Sequence, residues 1–194
     1  APASEEPLEK SEDGKQLSAA ISHWTAKKAY SKVVEVCKTY MDKDCWEDAF
    51  TAIIMCYLRM NNENEELGYL NELRVFVEKY ADREVKALKA LEALQQYYMK
   101  THQYAETIRI LNRLMEQCDP GEHSKILHYL QGKGRCYREI KDYPSAISEL
   151  LDWLDIVKRN KITERYTIRN TCIYIELAEL YFETGDYENA ERYV

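Results

Sequence analysis

A short segment that ends one helix and starts another occurs twice near the end of this 194-residue chain. In its second copy the apolar side chains follow a helical stripe, stop at Gly185-Asp186 and resume at Tyr187. A small residue on either side of the turn, Ala178 and Ala190, allows two antiparallel helices to approach closely. The segment predicts a helical hairpin in which both alanines are buried where the helices cross.

The first copy of this segment lies 44 residues earlier. That shift aligns four small or aromatic pairs, which are Gly134 with Ala178, Tyr137 with Tyr181, Tyr143 with Tyr187, and Ala146 with Ala190. Leu94, Tyr98 and Tyr104 form a weaker third copy. A recurrent hairpin predicts a repeat protein, in which each unit packs mainly on its neighbours.

These residues resemble the tetratricopeptide-repeat (TPR) family. Its signature combines a small residue and a Tyr in the first helix, a Gly-Asp-Tyr type of turn, and an Ala early in the second helix. The specific resemblance covers roughly the C-terminal half; the units are longer than the usual ~34 residues, and Thr107 and Trp153 stand where small residues are usual. The resemblance implies an all-α, right-handed superhelical solenoid of about five antiparallel hairpins and indicates no subfamily.

Periodicity and turn signals divide the chain into a leader and five units. Residues 1–13 are acidic and contain Pro, and they predict a flexible leader. The predicted units of a single TPR-like solenoid are 14–43, 44–81, 82–121, 122–160 and 163–194. Asp44 is the expected N-cap of the second unit. The expected turn-position residues are Tyr30, Leu67, Tyr104, Tyr143 and Tyr187. Because the last unit stops early in its second helix, we expect a chain truncated at its C-terminus.

Composition excludes several classes of function. A net charge of −7 and a pI near 5.3 argue against a nucleic-acid or anionic-membrane binder. No apolar run is long enough to insert across a bilayer. The six cysteines are scattered and form no C-x-x-C pair, which favours reduced core thiols in a cytoplasmic or nuclear protein. The absence of an initial Met leaves open a processed mature chain.

No sequence motif supports catalysis. The chain has no Gly-rich phosphate loop, no H-E-x-x-H and no G-x-S-x-G. Its four histidines, His23, His102, His123 and His128, lack metal-ligand spacing. We therefore expect a non-enzymatic protein without a cofactor or metal ion.

The TPR resemblance implies a concave groove lined by the first helix of each unit. The groove-facing positions carried over from the family are Lys89, Glu92, Gln96, Met99, His128, Gln131, Arg135, Arg138, Glu179 and Phe182. Lys89, Arg135 and Arg138 would form a positive patch that suits an acidic or C-terminal peptide. The alternative is that both arginines, on a solvated helix, only pair with nearby Glu or Asp. The clamp for chaperone tails is disfavoured, because Gln96, Arg135 and Glu179 stand at its Asn positions.

Three functional hypotheses follow. The first is a protein-interaction scaffold, a subunit or adaptor in a larger assembly that binds a partner helix or peptide along the groove. The second is a vesicle-transport or cargo adaptor of the attachment-protein type, whose basic, membrane-facing character this acidic chain lacks. The third is the regulatory arm of an enzyme whose catalytic part lies outside residues 1–194.

Overall fold

A computed structural model describes residues 10–162 and 166–194 of the chain, and every regular element in those ranges is helical. The α-helices are α1 (Glu12–Ala26), α2 (Tyr30–Lys38), α3 (Trp46–Glu63), α4 (Tyr69–Lys79), α5 (Leu88–Lys100), α6 (Tyr104–Glu116), α7 (His123–Glu139), α8 (Tyr143–Arg159), α9 (Thr167–Glu183) and α10 (Tyr187–Arg192). A 3-10 turn at Glu65–Leu67 precedes α4. The prediction of an all-α fold is confirmed.

Four of the hairpin turns share one hydrogen-bonding pattern. Lys28, His102, Lys141 and Gly185 each adopt a left-handed conformation, with φ of 54°, 56°, 63° and 77°. The next residue donates its N–H to a carbonyl five positions back; these bonds are Ala29 to Trp24 (2.9 Å), Gln103 to Tyr98 (2.8 Å), Asp142 to Tyr137 (2.9 Å) and Asp186 to Tyr181 (2.9 Å). This is the Schellman motif, which satisfies carbonyls at the end of a helix and reverses the chain.

The second helices begin at the aromatic residues of the turns. Tyr30, Tyr104, Tyr143 and Tyr187 are the first residues of α2, α6, α8 and α10. The prediction for Leu67 was wrong, since Leu67 is exposed in the 3-10 turn and Tyr69 begins α4. The side chain of Asn64 accepts a hydrogen bond from the N–H of Glu66 (3.2 Å), which stabilises that extra turn before the helix.

Two helix starts also differ from the sequence prediction. The side chain of Ser11 accepts from the N–H of Gly14 (3.1 Å) and caps α1, so the helix begins inside the predicted leader. Residues 1–9 of that leader lie outside the described residues, as do residues 163–165 at the predicted start of the fifth unit. Asp44 is not the N-cap of α3; Cys45 takes that position without a side-chain cap.

The chain divides into two compact units, one ending at Tyr97 and one beginning at Tyr98. In the first unit the deeply buried side chains include Leu17, Cys37, Met41, Phe50, Ile53, Ile54, Leu73 and Leu91. In the second unit the core contains Leu127, Leu130, Ala146, Leu150, Trp153, Val157, Tyr166, Ile173, Leu177 and Leu180. Each large apolar side chain buried in this way contributes about 1.5–3 kcal/mol. The organisation of the chain as a single array and the handedness of that array stay predictions.

Candidate functional site

Two glycines and a buried ion pair fix the orientation of α7. A Cβ atom on Gly132 would lie 3.2 Å from Cδ1 of Leu111 on α6, and one on Gly134 would lie 3.0 Å from Cδ2 of Leu150 on α8. On the same helix, Nζ of Lys133 lies 2.6 Å from Oε1 of Glu149, with side chains only 11% and 14% exposed. Because α7 is held against both neighbouring helices, the remaining face of α7 is presented in a defined direction.

That remaining face carries the residues predicted from the sequence for the fourth unit. His128, Arg135 and Arg138 are exposed, and Gln131 is half-buried. Their spacing of three to four residues keeps them on one side of the helix. The structure therefore gathers these four side chains along one exposed strip of α7.

The arginines of this strip contact carboxylates on α9. Nη2 of Arg138 lies 2.9 Å from Oε2 of Glu179, and Nη2 of Arg135 lies 3.6 Å from Oε1 of Glu176. Nε2 of Gln131 donates to the same oxygen of Glu176 at 3.4 Å. The arginines therefore do pair with carboxylates, as the alternative interpretation held. The pairs join the first helices of two consecutive hairpins, so a basic row on α7 faces an acidic row on α9.

Phe182 and Met99 have different environments. Phe182 is 62% exposed on α9, and its ring meets the ring of Tyr187 at 5.3 Å between centroids in an edge-on arrangement. Met99 is half-buried, and Sγ of Cys136 lies 3.5 Å from its sulfur. Burial raises the pKa of the Cys136 thiol to about 11. Phe182 is thus available to a partner, whereas Met99 packs against α7.

Lys89 and Gln96, of the predicted repeat 82–121, lie in the first of the two compact units. Both are exposed, and Gln96 lines a cleft of about 360 Å³ together with Thr25, Tyr30, Met55 and Arg59 among others. The guanidinium of Arg59 lies over the ring of Tyr30, 5.2 Å from its centroid. Sequence reasoning did not identify Arg59, because the first two units lack the repeat signature that assigned groove positions elsewhere.

The structure adds three findings on cysteines, metal ions and membranes. All six cysteines are free thiols, and burial raises the pKa of Cys37 to about 12 and that of Cys56 to about 11. Within residues 10–162 and 166–194, no three His, Cys, Asp or Glu side chains are grouped so as to hold a metal ion. No helix in those ranges combines the length and the apolar character needed to cross a membrane.

The predicted burial of the two alanines in the last hairpin holds for only one of them. Ala190 is buried, whereas Ala178 is half-buried and lines two open clefts. The second helix of this hairpin, α10, has six residues beside the 17 residues of α9. Ala190 lies in α10 and also lines the larger of the two clefts.

No protein-family model matches this chain, and no curated protein matches it. Its fold is similar to that of a MamA structure designated AMB-1, at a TM-score of 0.56 and 16% identity over 93% of this chain and 87% of that one. MamA 41-end from Desulfovibrio magneticus RS-1 gives a TM-score of 0.55 and 8% identity over 94% and 92%. The TPR-like repeats of a Podosopora anserina kinesin light chain give 0.59 and 14% over 95% and 93%. These similarities concern the fold alone, and they confirm that the fold of this chain is TPR-like.

Proposed function

We propose that this chain is a non-enzymatic protein-interaction scaffold, a subunit or adaptor of a larger assembly. Its second unit binds a partner helix or peptide on the exposed surface of α7 and α9, which we call the α7–α9 face. The residues of this face are His128, Gln131, Arg135, Arg138, Glu179 and Phe182. Lys89 and Gln96 belong to the first unit, and a role for them in binding is a separate proposal. Met99 supports the face by packing on α7.

The observation that carries the proposal is that Arg135 and Arg138 remain 60% and 43% exposed although each faces a glutamate. A guanidinium has five N–H donors, and a single carboxylate uses two of them at most. The separation of 3.6 Å between Arg135 and Glu176 is also too long for a hydrogen bond. Both arginines therefore keep donors for a carboxylate that a partner supplies.

The α7–α9 face fits a partner segment that carries a carboxylate and an apolar side chain. Glu179, at 2.9 Å, limits the rotamers of Arg138, which reduces the entropy lost when a partner binds. The same glutamates balance the charge of the arginines, so recognition acts at short range rather than through a long-range positive field. Phe182 offers an exposed ring to the apolar side chain of the partner.

A charge-swap experiment tests the proposal. Arg135→Glu with Arg138→Glu removes the donors but also places like charges opposite Glu176 and Glu179. Adding Glu176→Arg and Glu179→Arg restores the two intramolecular pairs in reversed orientation. The measurement is the affinity for the protein captured from the native source by the wild-type chain, with circular dichroism and thermal unfolding of each variant.

We expect the fourfold swap to recover the stability of the wild type and to bind the partner more weakly than the wild type does. The loss of binding free energy should be several kcal/mol if the arginines become desolvated and under about 1 kcal/mol if they stay at the rim. The fourfold swap leaves the net charge unchanged, and Arg109→Glu with Lys158→Glu, at exposed positions on α6 and α8, is the net-charge control for Arg135→Glu with Arg138→Glu. If the swapped chain bound the partner as well as the wild type does, the arginines would have a structural role only and the proposal for this face would fail.

A further inference from the structure

The cleft of about 360 Å³ in the first unit, which we call the first-unit cleft, combines apolar side chains with one cation. Its apolar lining includes Ile21, Tyr30, Met55 and Leu58. Among the described residues that line it, Arg59 is charged and none is Asp or Glu, although Asp and Glu make up 34 of the 194 residues of the chain. A cleft with this lining fits an apolar side chain that stands next to a carboxylate.

Arg59 is held at this cleft without a strong partner of its own. Its guanidinium lies over the ring of Tyr30, 5.2 Å from the centroid. Its Nε lies 4.0 Å from Oε1 of Glu63, which is too long for a hydrogen bond, and its side chain is 62% exposed. Because Tyr30 limits the orientation of the guanidinium and its N–H donors make no hydrogen bond in the described parts of the chain, Arg59 can bind a carboxylate that a partner supplies.

The turn between α1 and α2 adds positive charge beside the cleft. Residues 14–34 contain no Asp or Glu, and Lys27 and Lys28 are exposed in this turn. Thr25 and Tyr30, which stand on either side of the two lysines in the sequence, both line the cleft. The local charge is therefore positive in a chain whose net charge is −7, and a carboxylate is attracted to this part of the surface.

The turn that follows α3 has the complementary chemistry. Residues 64–67, which we call the acidic turn, expose the carboxylates of Glu65 and Glu66 next to Leu67, whose side chain is 57% exposed. The side chain of Asn64 accepts a hydrogen bond from the N–H of Glu66 at 3.2 Å, and this bond fixes the backbone of the turn. The acidic turn thus presents an apolar side chain beside carboxylates in a preformed conformation.

We infer that this chain forms a two-fold symmetric dimer in which the first-unit cleft of each copy binds the acidic turn of the other copy. Arg59 and Asn62 lie in the last two turns of α3, and the acidic turn follows directly, so the cleft and the turn are neighbours on one surface. A two-fold axis beside them brings both contacts together at once. In each contact Leu67 enters the cleft beside Met55, and Glu66 pairs with Arg59 of the other copy.

A second copy fits the cleft better than an unrelated acidic segment does. Two contacts form for a single loss of translational and rotational freedom, and the acidic turn is already ordered before it binds. The net charge of −7 repels a second copy at long range, but the positive surroundings of the cleft reduce that repulsion where the acidic turn approaches. This inference goes beyond the proposed function, because no residue of the cleft or the acidic turn belongs to the α7–α9 face.

Complementary charge reversals test the inference. Sedimentation velocity of the longest natural chain that contains residues 1–194, over a series of concentrations, should show a reversible dimer. Arg59→Glu alone and Glu66→Arg alone should each weaken the dimer about tenfold or more, because each homodimer then brings like charges together in both contacts. A mixture of the two variants should form a heterodimer with opposite charges in both contacts, and the chain that carries both substitutions should form such a homodimer. Both should recover the affinity of the wild type to within about threefold.

Two further variants separate this interface from general effects. Arg74→Glu makes the same charge change as Arg59→Glu at an exposed position on α4, and it should alter the affinity of the dimer by less than about twofold. Leu67→Ser should weaken the dimer because it removes the apolar side chain that enters the cleft. It should leave the circular dichroism spectrum and the thermal unfolding of the chain unchanged, because Leu67 is exposed.

Four results would overturn the inference. A wild-type chain that stays monomeric at every concentration forms no such dimer, and a dimer that neither charge reversal weakens has its interface elsewhere. An equal loss for Arg74→Glu would mean a general effect of charge. Failure of the mixed variants to associate would mean that Arg59 and Glu66 do not meet. If the monomeric chain instead bound a synthetic peptide with the sequence of residues 61–69, and Arg59→Glu abolished that binding, the cleft would belong to an acidic segment of a different protein. Every variant keeps Arg135 and Arg138, so this inference and the proposed function can fail independently.

Discussion

The α7–α8 and α9–α10 hairpins share one sequence signature, but they differ in how deeply the residues of that signature are buried. Gly134 and Ala146 are buried in the first hairpin; of their counterparts, Ala190 is buried and Ala178 only half-buried. Tyr143 is half-buried, whereas its counterpart Tyr187 is exposed. The signature therefore fixes the turn and the crossing of the helices, and it does not fix how much of each first helix is covered.

The two hairpins also differ in the lengths of their second helices. In the first hairpin α7 and α8 have 17 residues each, so the whole of α7 has a packing partner. In the second hairpin six residues of α10 lie beside 17 of α9. In the 44-residue register Ile175 corresponds to half-buried Gln131 and Phe182 to exposed Arg138, so at these positions the two hairpins differ in side-chain chemistry rather than in coverage.

The largest effect on stability is expected for the ion pair between Lys133 and Glu149, which joins α7 to α8. Glu149→Ala leaves the ammonium group of Lys133 buried without a carboxylate partner, which should reduce the free energy of unfolding by about 3–5 kcal/mol. Urea denaturation measures this loss. Lys133→Met with Glu149→Leu removes both charges and should recover most of it. A loss below about 1 kcal/mol for Glu149→Ala would show that this pair is solvated, and the contrast between the hairpins would weaken.

Two overpacking substitutions, Gly134→Leu and Ala178→Leu, compare the hairpins at equivalent positions. Gly134→Leu forces a side chain against Leu150, because a Cβ atom added at position 134 would lie only 3.0 Å from Cδ2 of Leu150. This substitution should cost about 1–3 kcal/mol or more. Ala178→Leu places the same side chain next to open clefts and should cost under about 1 kcal/mol. Thermal unfolding of both variants measures the difference. Equal losses would mean that Ala178 is packed as tightly as Gly134.

Substitutions in the two turns should have smaller effects on the free energy of unfolding, with opposite signs in the two hairpins. Gly185 has a φ of 77°, a left-handed conformation that is unfavourable for any residue with a Cβ atom. Gly185→Ala should therefore destabilise the chain by about 1 kcal/mol. Lys141 has the same role in the first hairpin with a φ of 63°, and Lys141→Gly should be neutral or stabilising by up to about 1 kcal/mol. Chemical denaturation of the two variants tests the equivalence of the turns. If both substitutions were destabilising to the same extent, the backbone requirement would differ between them.

Local turn chemistry explains what the sequence could predict of the fold. Four of the five expected turn residues begin a second helix, because the left-handed residue and the Schellman hydrogen bond that precede them involve only neighbouring residues. The expectation failed at Leu67 because the side chain of Asn64 stabilises a competing 3-10 turn. It failed at Asp44 because the start of α3 has no side-chain cap.

The candidate site could be predicted only in part. The exposed positions of α7 followed from the repeat register, whereas the partners of Arg135 and Arg138 lie 41 residues further along the chain. This offset is three less than the 44-residue period, so each glutamate lies one turn before the equivalent of its arginine in the next first helix. The sequence contained this signal, but it becomes visible only when ion pairs are sought between repeats. The exposure of Ala178 could not be predicted, because the repeat register gives the position of a residue on its helix and not how closely the neighbouring helix packs there.

The smallest effect is expected for the ion pair that joins the two hairpins. The side chains of Arg138 and Glu179 are 43% and 50% exposed, so a double-mutant cycle with Arg138→Ala and Glu179→Ala should give a coupling free energy of only about 0.2–1 kcal/mol. Solvent and salt screen such a pair, and the coupling should fall further between 0.05 and ~0.5 M salt. The Lys133–Glu149 pair is buried and should keep its coupling over that range. Urea denaturation of the four chains at both salt concentrations provides the cycle. A coupling above about 2 kcal/mol that is independent of salt would mean that Arg138 is committed to Glu179 and has little capacity to bind a partner carboxylate.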